Sequence, residues 1–297
     1  STLKMTAPEK TGYTFKGWSR TSGSTGTLNS TTGNSTYLCG AGAATLTAQW
    51  QINQYTITLH ALANKFDTNT YSENGLGGTV QIDSRAANNK STNATYNYNT
   101  TYTIKAAAYT GYKFDGWYTN PSLSGTAVST SASYTTSLGA SNITYYAKFS
   151  VQSYQITVNP NGATGGTNLS GWYSAPGTAA SAINGVTSSR TITMVYGSTL
   201  KMTAPEKTGY TFTGWSRTSG STGTLNSTTG DSTYVCGAGA ATLTAQWTAK
   251  VYTITYIPNG GSVTPTSDTF TIESAINLPT PKREGYVFDG WMVTKAE

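Results

Sequence analysis

Charge is what this chain has least of: Asp, Glu, Lys and Arg make up 10% of its 297 residues, and there is a single histidine. Proton-transfer and hydrolytic chemistry needs several titratable groups converging on one cleft, and so sparse a supply leaves little material for it. Cysteine is nearly absent. Cys39 and Cys236 are the only two, at equivalent places in separated stretches of similar sequence. Cysteines so placed would not normally meet, which argues against an intramolecular disulfide and for a small buried apolar residue in each stretch. Phenylalanine, with 7 residues, is far outnumbered by 21 tyrosines, a balance that favours strands over helices. The net charge of +6 comes from Lys and Arg scattered singly, which gives no basic stripe for nucleic acid. No signal peptide or membrane-spanning run is visible either.

Repetition is what the chain does have. Ser1 to Trp50 and Ser198 to Trp247 differ only at Lys16/Thr213, Asn34/Asp231 and Leu38/Val235. A chain that copies itself so closely reads first as an array of modules. Because the first copy opens in the middle of what is elsewhere a longer unit, the chain is expected to be a stretch of a longer polypeptide. The landmark Gly-Tyr-x-Phe-x-Gly-Trp occurs at Gly12 to Trp18, Gly111 to Trp117 and Gly209 to Trp215, and with Val inside it at Gly285 to Trp291. An aromatic closes three of these units, at Trp50, Phe149 and Trp247.

Each full unit opens on an alternating segment: Tyr55 to Leu59, Tyr154 to Val158 and Tyr252 to Tyr256. Period-two alternation puts Tyr55, Ile57 and Leu59 on one buried face and the threonines on a wet one. Pro160-Asn-Gly and Pro258-Asn-Gly follow, supplying the positive φ angles of a hairpin turn. Strands are then expected at Arg190 to Tyr196 and Ser198 to Thr203, and Gly214 is expected to kink the landmark strand so that Trp215 turns inward. The stretch after each landmark, such as Ser219 to Thr224, reads as a polar loop. Short helical turns are expected only at Pro176 to Ile183 and Ser274 to Leu278. The division is into four modules: 1–50, the C-terminal part of one; 51–150 and 151–248, each complete with an insertion; and 249–297, the opening of a compact one.

Tyr252-Thr-Ile-Thr-Tyr-Ile-Pro-Asn-Gly-Gly, Ile276-Asn-Leu-Pro-Thr-Pro and Gly285-Tyr-Val-Phe-Asp-Gly-Trp resemble the Listeria–Bacteroides repeat, also called the internalin B-repeat. The middle modules, with Tyr196 to Pro205 ahead of the Gly209 landmark, are similar to its divergent relatives. The resemblance implies a mainly β chain of small, β-grasp-like modules in an elongated array with little helix. It also implies tandem use on secreted or surface-anchored bacterial proteins. The central insertions of modules two and three depart from the compact pattern.

Among residues that could carry chemistry, His60 reads as an exposed strand residue. Asp268 with Glu273 and Glu284 with Asp289 read as solubilising pairs, and no clustered ligands suggest a metal. No catalytic, cofactor-binding or metal residues are therefore expected, and no cofactor. An internal cross-link among Lys201, Lys207 and Asn226 has no support in the sequence. Six of the seven tryptophans belong to landmarks and read as core. Trp172, beside Tyr173 in an insertion, and the stripe Tyr96, Tyr98 and Tyr102 are left as candidates for ligand or subunit contact, with a satellite core as the alternative. Asn-x-Ser/Thr sequons at Asn29, Asn89, Asn93 and Asn142 are expected by chance in a chain so rich in these residues. The expectation is a non-enzymatic structural repeat region of an extracellular, cell-surface or secreted bacterial protein: a stalk, adhesin shaft or filament subunit. Its partners would be neighbouring modules or subunits of the same protein. A carbohydrate- or host-surface-binding array acting by avidity is the alternative, and a third possibility is self-assembly through exposed strand edges.

Overall fold

The computed structural model describes residues 1–21, 23–218 and 220–294. About 52% of the chain is strand, and no helix occurs among the described residues. The chain divides into two compact units, Ser1–Gln152 and Ser153–Glu297.

In the first unit the opening strand Gln54–Lys65 lies parallel to the closing strand Ile143–Val151, in register from Ile57 opposite Ile143 to Ala63 opposite Phe149. The closing strand is flanked on its other side by the antiparallel landmark strand Tyr112–Tyr118, and the opening strand by Ser91–Asn97 and Thr68–Ser72. A second antiparallel sheet orders Ser133–Ser137, Thr101–Ala108 and Gly78–Ile82. Alternation predicts which side chains are buried: Ile57 and Leu59 are wholly buried, as are Val80, Ile82, Ile104, Ala147 and Phe149.

The second unit repeats the plan. Its mixed sheet runs Arg190–Val195, Ser153–Asn159, Ala241–Ala249, Tyr210–Arg217, with the central pair parallel and both flanks antiparallel. The second sheet runs Ile183–Val186, Thr167–Ser170, Thr199–Met202, Ser232–Val235, Thr224–Asn226. A core lies between these two sheets' residues, with Ile156, Leu169, Met194, Leu200, Met202, Tyr234 and Leu243 among its members. The strands expected from Arg190 and from Ser198 are both present.

Three expectations are corrected. Asn161 and Gly162 do take positive φ, 54° and 79°, but they close no hairpin. They turn the chain out of the mixed sheet, because its next strand, Thr167–Ser170, pairs in the other one. Pro176 to Ile183 is not helical. Gly177, at φ 73°, reverses the chain between Tyr173–Ala175 and Thr178–Ala179, a short hairpin. At Ser274 to Leu278 only a turn forms, from Ser274 N to the Thr271 carbonyl (3.0 Å), and Pro279 and Pro281 follow it. In the expected polar loop, Ser219 lies outside the described residues, residues 220–223 are irregular as expected, and Thr224 begins the short strand Thr224–Asn226.

Residues 1–52 reproduce half of this plan. Thr2–Met5, Ser35–Leu38 and Thr27–Asn29 form one sheet, and Tyr13–Arg20 pairs with Leu46–Ile52 in the other. Side chains buried in the later copy lie open here: Leu3 is 49% exposed where Leu200 is 0%, and Cys39 is exposed where Cys236 is buried. That corrects the expectation of a buried cysteine in both copies. The same residues lack the opening and insertion strands that cover them in the second unit.

Candidate functional site

The recurring local device is the landmark strand. Between Phe15 and Gly17, Phe114 and Gly116, and Phe212 and Gly214 the antiparallel register slips by one residue, a β-bulge in each case. The three bulge glycines take φ of 117°, 151° and 125°, a region closed to residues with a Cβ. One consequence is that Trp18, Trp117 and Trp215 turn inward beside their Phe, ring centroids 5.5–5.8 Å apart in edge-on contact. Another is that the Trp backbone N–H is freed from the ladder and capped from the following loop. Ser30 Oγ accepts it at 2.5 Å, the Ser129 carbonyl at 2.8 Å and Ser227 Oγ at 2.6 Å. The indole N–H of each is buried without a hydrogen-bond partner. Such a group costs on the order of 1–3 kcal/mol, offset here by aromatic packing.

In each of these strands the first landmark glycine forms a joint with the residue that follows the closing strand. Gly12, Gly111 and Gly209, all at positive φ, accept the backbone N–H of Asn53, Gln152 and Lys250 at 2.8–2.9 Å. Tyr98 lies directly over Gly12 and edge-on to Tyr13, centroids 6.1 Å apart. Ile272 takes the same place over Gly209, and Tyr210 Oη donates to Glu273 Oε1 at 2.7 Å. That bond, followed by desolvation, raises the Tyr210 hydroxyl above its ordinary pKa. A basic side chain covers the outer face of the landmark tyrosine: Lys10 Nζ over Tyr13 at 3.9 Å, Lys207 over Tyr210 at 4.3 Å and Arg283 over Tyr286 at 4.0 Å. Sequence reasoning missed the joints because the residues that complete them, Asn53/Gln152/Lys250 and Tyr98/Ile272, share no type.

The candidate contact residues divide between the two units. Trp172 is 3% exposed and belongs to the core of the second unit, its carbonyl accepting from Ala180 N. Tyr173 begins the adjacent hairpin and is half-buried. Both Tyr96 and Tyr98 lie in the first unit. Tyr96 stacks on Tyr102 (6.4 Å, 19°) and donates to the Asp83 carboxylate, and its hydroxyl is held up chiefly by desolvation and then by that bond. Tyr102 itself is buried, its hydroxyl 2.9 Å from that of Tyr145, and burial pushes its pKa up strongly. Tyr98 makes the joint with Gly12.

His60 is half-buried, paired with Glu73 and stacked on Tyr146 at 5.1 Å. Its place in the sheet is structural rather than the exposed one expected. Asp268 and Glu273 each accept a tyrosine hydroxyl, from Tyr256 and Tyr210. Lys201 and Asn226 both sit opposite Thr233, on either side of it, while Lys207 is turned onto Tyr210.

Repeated mixed sheets with a bulged landmark strand and a glycine joint define a tandem β-repeat protein. The sequence families agree with this. The Listeria-Bacteroides repeat domain matches residues 68–148 and 252–297, and the divergent InlB B-repeat domain matches residues 1–54 and 176–251. The chain is a tandem of these two kinds of repeat.

Two relatives come from Evansella cellulosilytica. One carries the provisional name of a Gly-rich membrane protein and is 27% identical over 288 residues; the other, provisionally a membrane protein, is 25% identical over 296. Each alignment takes in 96% of this chain, which spans only 26% and 35% of the relatives' own lengths. Among solved structures, the Bacillus anthracis TIE protein is 8% identical with a TM-score of 0.38, covering 96% of this chain and 63% of that one. The major pilin T-13 of Streptococcus pyogenes is 12% identical with a TM-score of 0.29, covering 66% and 97%. These scores are too low to define a shared fold.

Proposed function

We propose that the chain is a non-enzymatic structural repeat segment of a bacterial cell-surface protein, serving as a stalk, adhesin shaft or filament subunit. The observation that carries this reading is what the repeats preserve. Bulge, inward Trp, capped N–H and glycine joint recur in three landmark strands, including the one at Tyr112–Tyr118 whose surrounding sequence diverges from the near-identical pair. The joints support it too, since tandem modules draw stability from nearest-neighbour contacts. The repeat families and the hydroxyl-rich, charge-poor composition support an extracellular placement. Neighbouring modules of the same protein are then the first partners. Small-angle scattering of the purified chain tests the idea: a shaft segment gives the distance distribution of a rod, and a compact particle of this mass would sink it.

A further inference from the structure

We infer that the hollow beside the Gly12 joint, where the strands Tyr13–Arg20 and Leu46–Ile52 meet the opening strand Gln54–Lys65, is a binding site for a neutral saccharide. This goes beyond the structural reading, since a shaft needs no ligand.

Two cross-strand pairs assemble the site. Thr14 stands opposite Gln51 in the sheet of Tyr13–Arg20 and Leu46–Ile52, and Gln54 stands opposite Asn97 in the sheet of Gln54–Lys65 and Ser91–Asn97. All four residues are exposed. A single residue, Asn53, separates the closing strand from the opening one and brings the two pairs together. Its backbone is held on both sides: the N–H donates to the Gly12 carbonyl at 2.9 Å, and the carbonyl accepts from Tyr98 N at 2.8 Å. The result is a cavity of about 550 Å³, whose lining also includes the half-buried Tyr55. That volume lies in the range of small-molecule sites.

The chemistry of the lining selects the ligand. Four amides (Gln51, Asn53, Gln54 and Asn97) and two hydroxyls (Thr14 and Tyr55) supply its polar groups, and among the described residues no acidic or basic side chain joins them. An ion entering it would shed water with no opposite charge to meet. Each amide carries donor and acceptor on one plane, and adjacent hydroxyls of a sugar ring also donate and accept. Internal bonds pre-orient these groups: Thr14 Oγ1 donates to Asn53 Oδ1 at 2.6 Å, Gln54 Nε2 to Asn97 Oδ1 at 3.1 Å and Asn53 Nδ2 to Tyr55 Oη at 3.4 Å. Gln54 Oε1 and Asn97 Nδ2, the other halves of those amides, are left for a ligand.

The chain carries its own control. In the second unit Thr248, Lys250 and Val251 stand where the first has Gln51, Asn53 and Gln54, and Thr211 stands where it has Thr14. These four are exposed too, although the upstream strands of that module, Ser153–Asn159 among them, are present. A module's upstream strands therefore leave this place open. With a cation and a valine in place of two amides, the second joint is expected not to bind.

The test uses the whole 297-residue chain, isotope-labelled for NMR and titrated with lactose, cellobiose and N,N′-diacetylchitobiose, with glucuronate as the anionic probe. A saturable shift of the Gln51, Gln54 and Asn97 side-chain amide signals is expected from at least one of the disaccharides, and none from glucuronate. Gln51→Ala with Asn97→Ala, both at exposed positions, is expected to weaken that binding at least about tenfold, the scale of losing two hydrogen bonds, with the melting curve unmoved. Thr248→Ala with Lys250→Ala is expected to leave it as it was. The inference is overturned if no disaccharide gives a saturable shift, if glucuronate binds as tightly, if the first double variant binds like the parent, or if the second loses binding. A rod-like scattering profile beside any of these leaves the shaft reading standing, and a compact particle that still binds the sugar would sink the shaft reading alone.

Discussion

At the level of single residues, the two cysteines are a matched pair in opposite surroundings. Cys236 has its thiol among Met194 and Gly237 carbonyls in the core, and desolvation pushes its pKa up to about 12 from an ordinary 9.0. Cys39 stands in the open. At pH 8, iodoacetamide is expected to modify Cys39 quickly and to leave Cys236 untouched until the second unit unfolds, as mass spectrometry of the peptides would show. The same burial sets a pH dependence. Between pH 9 and about 12 the folded unit keeps a proton that the unfolded chain loses, so stability falls as pH rises through that window. A Cys236→Ala variant should flatten this part of the alkaline melting curve, and an unchanged slope would refute the assignment.

Elements bring a second comparison, because Thr-Leu-Lys-Met occurs as a strand twice. Thr199–Met202 is bonded on both sides, to Ser232–Val235 and to Thr167–Ser170, whereas among the described residues Thr2–Met5 pairs with Ser35–Leu38 alone. Hydrogen exchange should separate these identical tetrapeptides, with amides of the second copy protected at least about tenfold more, since only they open with a packed core. Equal protection would mean that residues 1–52 are covered in solution. Alternation and turn chemistry made most of these strands legible. Tyr55 to Leu59 and Tyr154 to Val158 are strands with the expected faces buried, and Gly214 does sit in the bulge that turns Trp215 inward. Pairing was harder to read. Asn161-Gly162 carries a genuine turn signal, yet local φ preference says nothing about which sheet receives the next strand. Gly285 to Trp291 bears the landmark, with Val inside it, and forms no strand.

For the molecule as a whole, the question is what the non-landmark aromatics do. Trp172 was legible only as an outlier, since nothing in Ser170 to Ser174 distinguishes a side chain that faces a ligand from one that faces an inserted hairpin. In the structure it lies in the second unit's core, in the same cluster as Leu169 and Met202. Trp172→Ala is therefore expected to cost about 3–5 kcal/mol, a large share of a unit's stability. Calorimetry should show the transition of the second unit moving down while that of the first unit stays in place. Loss of glycan binding with both transitions unchanged would instead favour the avidity reading.

The parallel pairing of first and last strands has a mechanical consequence. A module's chain enters at Gln54 and leaves at Val151, at opposite ends of two parallel strands that stay in register over seven residues. Tension along the polypeptide pulls these strands in opposite directions along their own axes. Their hydrogen bonds are then loaded together, in shear, instead of being peeled one at a time. The equivalent pair in the second unit is in register over only four residues, from Ile156 to Asn159. Under load it is the weaker link, and it would yield first while the longer pair still held.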